Sequence, residues 1–70
     1  MKDNVIVVEG EVIENLPNTL FRVKLFNSEK IILCYLSGKM RMHRIKVLIG
    51  DSVEVVLDSY GGKGRIIKRL

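Results

Sequence analysis

Ser37-Gly-Lys-Met-Arg-Met-His-Arg-Ile-Lys-Val-Leu-Ile-Gly50 is the stretch on which the reading of the fold turns. Ser37 is a good helix N-cap, and Met and Arg are good helix formers, so a short helix or helical turn is expected over Lys39–Arg44. Ile45, Val47, Leu48 and Ile49 then call for burial, and Gly50-Asp51 turns the chain. Everything on either side reads as strand, so the place of this one helical piece in the strand order selects among small barrels. The stretch also carries Lys39, Arg41, Arg44 and Lys46, with His43 between them, and no acid. Those four positive charges equal the formal net charge of +4 of the whole 70-residue chain. A cationic patch on a balanced body calls for a polyanionic partner, phosphate backbones being the commonest.

Towards the N-terminus, Val5–Glu14 is rich in β-branched residues, with Ile6, Val8, Gly10 and Val12 on one face. Gly10 marks a bulge, a barrel corner or a close backbone approach. Asn15–Asn18, with Pro17, is a turn. Thr19–Phe26 alternates: Phe21, Val23 and Leu25 take the core face, Arg22 and Lys24 the solvent face. Asn27–Glu29 is a hairpin connection. Lys30–Leu36 is a third strand with Ile32, Cys34 and Leu36 inward, which turns Tyr35 outward beside Arg22 and Lys24. Beyond the central stretch, Ser52–Asp58 is strand four, with Val53, Val55 and Leu57 on one face. Tyr60-Gly61-Gly62 is a flexible turn, and Lys63–Leu70 is a basic fifth strand. The order β-β-β-α-β-β, with edges that must be closed, is that of an all-β, five-stranded OB-fold barrel with a short helix between strands three and four. An SH3-like barrel, whose helical turn usually precedes the last strand, is the alternative.

Length and composition imply one domain over residues 1–70, with a small core. The lone Cys34 reads as a reduced core thiol. No apolar run reaches the length of a membrane span, and the N-terminus lacks a cleavage-site pattern. A soluble, cytoplasmic protein with no membrane partner is expected. Enzymatic chemistry is not signalled. Glu9, Glu11 and Glu14 read as solubility charges on an outer strand edge, with no pair set for acid–base work. One His and one Cys cannot make a zinc site unaided. Gly61, Gly62 and Gly64 lack the Gly-Lys-Ser/Thr ending of a phosphate loop. No cofactor or metal is expected.

What the sequence does offer is basic and aromatic. OB barrels bind nucleic acid on strands two and three and the flanking loops, and that face holds Arg22, Lys24 and Tyr35. The aromatics are only Phe21, Phe26, Tyr35 and Tyr60. So few favour docking on folded RNA over stacking of single strands. Met40 and Met42 read as apolar plugs rather than base contacts.

Glu9–Leu25 (E-G-E-V-I-E-N-L-P-N-T-L-F-R-V-K-L), Leu36–Arg41 (L-S-G-K-M-R), Ile45–Asp51 (I-K-V-L-I-G-D) and Tyr60–Ile66 (Y-G-G-K-G-R-I) together resemble the bacterial and plastid translation initiation factor one family. The resemblance runs in order along nearly the whole chain. It implies an OB fold that docks in the decoding A site of the small ribosomal subunit, against 16S rRNA and a neighbouring ribosomal protein. There the family assists initiation factors two and three and keeps elongator tRNA out. By position, the resemblance puts Arg22 on the basic face of strand two and Lys39, Met40 and Arg41 in an RNA-contacting loop. Arg44 and Lys46 follow, and Lys63 and Arg65 fall at the basic end. Tyr35 stands where many members have His, Gly61-Gly62 replaces a common Asp-Leu, and Ser28-Glu29 replaces a usual Asn-Gly. The long charged tails of archaeal and eukaryotic counterparts are missing. The expectation is a monomeric, non-enzymatic factor of the bacterial cytoplasm or the plastid stroma. A general nucleic-acid-binding OB domain, or an RNA chaperone of cold-shock type, is the alternative; the aromatic-rich K-G-F-G-F-I pattern of the latter is absent.

Overall fold

The computed structural model describes residues 5–58 and 63–70. The Met1–Asn4 segment and the Tyr60-Gly61-Gly62 turn read from sequence lie outside them. The elements are β1 (Val5–Leu16), a 3-10 turn at Pro17–Thr19, β2 (Leu20–Leu25), β3 (Ile31–Leu36), α1 (Gly38–Met42), β4 (Ser52–Asp58) and β5 (Gly64–Arg69). The strands close into a barrel in the order β1-β2-β3-β5-β4. All pairings are antiparallel except β3 with β5. This closed five-stranded barrel, with its one helix between β3 and β4, is the OB fold expected from the element order.

β1 is long because it serves two neighbours. Its first half pairs with β4, and its second half with β2. Gly10 stands at the changeover, in register with both Leu25 and Val53. A Cβ there would lie 2.6 Å from the Lys24 carbonyl oxygen and 2.7 Å from Val23 Cγ1, so only glycine lets the strands approach at this corner. The bulge falls further on, between Val12 and Glu14, and its extra residue is Ile13. Gly64 has a packing role too: a Cβ would meet Val55 Cγ1 at 2.7 Å and Cys34 Sγ at 3.0 Å. Glu9 and Glu11 have neighbours on both sides and so are not on a sheet edge, which corrects that part of the sequence reading; Glu14, beyond the last β4 pairing, pairs with β2 alone.

The core follows the period-two faces. Val12, Val23, Cys34, Val53, Val55 and Ile66 are fully buried, with Phe21 and Leu25 nearly so. β2 buries Phe21, Val23 and Leu25 and exposes Arg22 and Lys24, as its alternation requires. Ile6, at the open end of β1, stays exposed. Val23→Ala should destabilise the barrel by about 1–3 kcal/mol through lost methyls and a residual cavity, read as a lower denaturation midpoint. Burial pushes the Cys34 thiol up to about 12. Its thiolate is scarce at neutral pH, so this is an inert core thiol.

Candidate nucleic-acid interface

The helix is shorter than the sequence suggests, and its ends explain why. Ser37 Oγ accepts a hydrogen bond from the Met40 N–H at 3.2 Å, which is the expected N-cap. The Ser37 N–H in turn donates to the Ile66 carbonyl at 2.9 Å, tying the helix start to β5. At the other end, the Arg44 N–H donates to the Arg41 carbonyl at 3.1 Å and the Ile45 N–H to the Met40 carbonyl at 3.0 Å. That pair of bonds is a Schellman motif, which needs a left-handed residue after the helix. Arg44 takes that conformation at φ 54°, a place glycine usually holds. The helix therefore ends at Met42 rather than at Arg44.

The chain beyond is pinned at several points. Arg69 Nη1 donates to the Lys46 carbonyl at 3.0 Å. The Leu48 N–H donates to Asp51 Oδ2 at 2.8 Å, and the Gly50 N–H donates to the Val12 carbonyl at 2.8 Å. A loop held by its backbone presents its side chains in fixed directions, and most of them point outward.

Only Val47 of the expected apolar set is buried; Ile45, Leu48 and Ile49 are exposed, a correction to the sequence reading. The segment crosses the outside of the barrel, so one residue alone reaches the core. The two methionines also part company. Met40 is 1% exposed and belongs to the core, whereas Met42 is 75% exposed. Met40 therefore packs in the core at the floor of the groove beside α1, with almost no surface of its own, against its expected place among the contact residues. Met42 is no plug. A helix of five residues turns a single position inward, and here it is Met40.

Lys39, Arg41, His43, Arg44 and Lys46 are all exposed on α1 and the following loop. Lys63, just before β5, and Arg65, within it, are exposed. Tyr35 lies on the outer face of β3, directly across from Leu20 on one side and Arg65 on the other. Arg22 and Lys24 sit on the same face but oppose Leu33 and Ile31, so Tyr35 meets Arg22 only diagonally. Both β2 cations have partners: Arg22 Nε lies 2.9 Å from Glu14 Oε1, and Lys24 Nζ lies 3.2 Å from Glu29 Oε1. These half-exposed pairs contribute at most about 1 kcal/mol each, so an incoming phosphate can displace them. Among the described residues, the cations of α1, its loop and β5 make no ion pair. The unbalanced charge is therefore concentrated there.

Of the cations left unassigned in the sequence reading, two lie beside the helix. Lys68 and Arg69 join Lys39, His43, Ile45 and Ile67 around a groove of about 420 Å³ between α1 and β5. Their signal was the basic composition of the last strand. What composition alone does not convey is that β5 runs beside the helix.

Replacing Arg44 by Gly tests the helix end. The left-handed backbone costs an L-residue about 1–2 kcal/mol, and glycine's extra chain entropy offsets part of that, so Arg44→Gly should stabilise the fold by about 0.5–1 kcal/mol. A urea midpoint measures the gain. An RNA titration of the same variant should show weaker binding, because one exposed cation is gone.

A closed OB barrel that, among the described residues, gathers exposed cations outside ion pairs on one helix, its loop and one strand has the form of a nucleic-acid-binding OB domain. The model of the translation initiation factor 1A / IF-1 family matches residues 2–70, and the chain belongs to that family. The solution structure of translation initiation factor one from the Wolbachia endosymbiont of Brugia malayi is 46% identical, with a TM-score of 0.80. That match covers 96% of this chain and 79% of the other. YjeQ from Thermotoga maritima matches at 29% identity and a TM-score of 0.77, over 93% of this chain and 23% of that one. Translation initiation factor 5A from Methanococcus jannaschii, at 11% identity and a TM-score of 0.70 over 94% of this chain and 44% of that one, shares the fold alone.

Proposed function

We propose that the chain acts as a non-enzymatic initiation factor seated in the decoding A site of the small ribosomal subunit. It grips 16S rRNA, abuts a neighbouring ribosomal protein, supports initiation factors two and three, and blocks premature tRNA entry. It works in the cytoplasm, or in the equivalent plastid stroma, and is monomeric when free. One observation carries this reading: the exposed cations of α1 and its loop, held by backbone hydrogen bonds and free of ion pairs among the described residues. Lys39, Arg41, His43, Arg44 and Lys46 supply the main contacts, with Lys63 and Arg65 beside them. Arg22, Lys24 and Tyr35 extend the surface across the sheet. A rigid set of donors suits the fixed phosphates of folded RNA better than a flexible strand.

The test is co-sedimentation with purified small subunits against naked single-stranded RNA, run with Arg41→Ala and Arg41→Lys. Arg41 is exposed, so its loss should change stability by no more than about 0.5 kcal/mol. Loss of a charge-assisted hydrogen bond to phosphate should weaken subunit binding by about 1–3 kcal/mol, and Lys should restore only part. If Arg41→Ala melts and binds like the parent, the contact lies on Arg22, Lys24 and Tyr35 instead. Equal affinity for subunits and for naked strands would favour the cold-shock type of RNA chaperone.

A further inference from the structure

The barrel is electrically two-sided. β1 and β4 carry Glu9, Glu11, Glu14, Glu54 and Asp58 and no base. β2, α1 and β5 carry Arg22, Lys24, Lys39, Arg41, Arg65, Lys68 and Arg69 and no acid. β1 and β4 are neighbours in the closed barrel, so their seam lies across from β3. On the outer face of that seam Glu9 stands directly opposite Glu54. Like charges placed opposite one another destabilise a sheet. Among the described residues neither has an ion-pair partner, although Lys68 is in register with Glu54. Apolar surface lies beside them: Val7 is 53% and Phe26 55% exposed. The Phe26 N–H donates to the Glu9 carbonyl at 3.0 Å, which holds the aromatic residue close to the acid. Val7, Glu9, Phe26, Asn27 and Glu54 line a depression of about 240 Å³.

We propose that this depression is the docking site for an arginine side chain on a basic protein segment. Its chemistry matches that group part by part. A guanidinium presents a planar fork of donors that can bridge two carboxylates. Its face stacks on an aromatic ring, here Phe26, and its aliphatic stem covers apolar surface, here Val7. An ammonium is a compact, more strongly hydrated point charge, with neither the planar fork nor a flat face to lay on the ring. RNA and anionic lipid surfaces are repelled by the same glutamates. Among the described residues no three His, Cys, Asp or Glu side chains stand close enough to hold a metal ion, so a divalent cation is a poor occupant.

The proposal is tested by NMR titration of the full chain with an end-blocked Gly-Arg-Leu-Arg-Gly peptide. Saturable shift changes are expected at Val7, Glu9, Phe26, Asn27 and Glu54. The Lys counterpart should bind at least about threefold more weakly, since it lacks the fork. Phe26→Leu and Glu54→Gln should each weaken the Arg peptide by at least about threefold while the protein melts no earlier. Equal affinity for the two peptides overturns the proposal, because simple charge attraction then accounts for the binding. Shifts confined to other strands overturn it too. So do the same shifts appearing as the protein's own concentration rises without peptide, which would assign the face to a second copy of the chain. No ribosomal component enters the titration, so its failure is distinct from failure of the A-site reading.

Discussion

Met40→Ala should cost about 2–5 kcal/mol, the range for truncating a buried Met, Leu or Ile. A 70-residue domain has a net stability of only roughly 4–10 kcal/mol. The variant should therefore melt at least about 10 °C lower, and near physiological temperature a sizeable fraction should be unfolded. The reason is geometric. Met40 is the one buried residue of α1, and its N–H and C=O both serve the caps of that helix. Loss of its side chain leaves the helix tied to the barrel only through its backbone, chiefly the Ser37 N–H bond to the Ile66 carbonyl. Met40→Leu conserves volume and should stay within about 1.5 kcal/mol of the parent. Circular-dichroism melts of the two variants, paired with subunit titrations, separate core from contact. If Met40→Leu melts like the parent yet binds poorly, the thioether touches RNA after all and the helix must reopen on binding.

Subunit affinity should collapse with salt. If four to six phosphates are neutralised, binding falls by about a hundredfold to a thousandfold between roughly 50 and 200 mM salt, with a log–log slope near −0.7 to −0.9 per phosphate. The exposed cations of α1, its loop and β5 are enough to supply that number. Removing one of them by Arg41→Ala should reduce the slope by about one contact's worth. The β2 cations should count for less, because Arg22 and Lys24 must first leave Glu14 and Glu29. A titration series at four or five salt concentrations measures all of this. Affinity that stays flat over the range would remove the phosphate grip from the mechanism.

The two-sided charge gives these predictions a common frame. Cations collect on α1 and β5, which touch in space, and acids collect on β1 and β4, which pair. A protein built in this way orients itself in the field of a polyanion before contact. On the proposed A-site reading, the acidic seam would face away from the RNA and leave the proposed arginine seat open to a protein neighbour.

Local patterning determined the strands of this protein. Phe21, Val23 and Leu25 alternate with Arg22 and Lys24, and a period of two has one solution when one face is buried. Ser37 announced the helix start because its side chain acts three residues away. Tertiary structure alone decided the rest. α1 has too few residues to show a helical period, so nothing in the sequence separates buried Met40 from exposed Met42. Its end depends on a left-handed Arg44, and arginine does not signal that conformation as glycine would. The Glu14–Arg22 pair exists because a bulge at Ile13 shifts the register of β1 on β2. The parallel β3–β5 pairing, which brings Arg65 beside Tyr35, joins segments some thirty residues apart. Contacts of that separation arise when the whole barrel closes, so no local stretch encodes them.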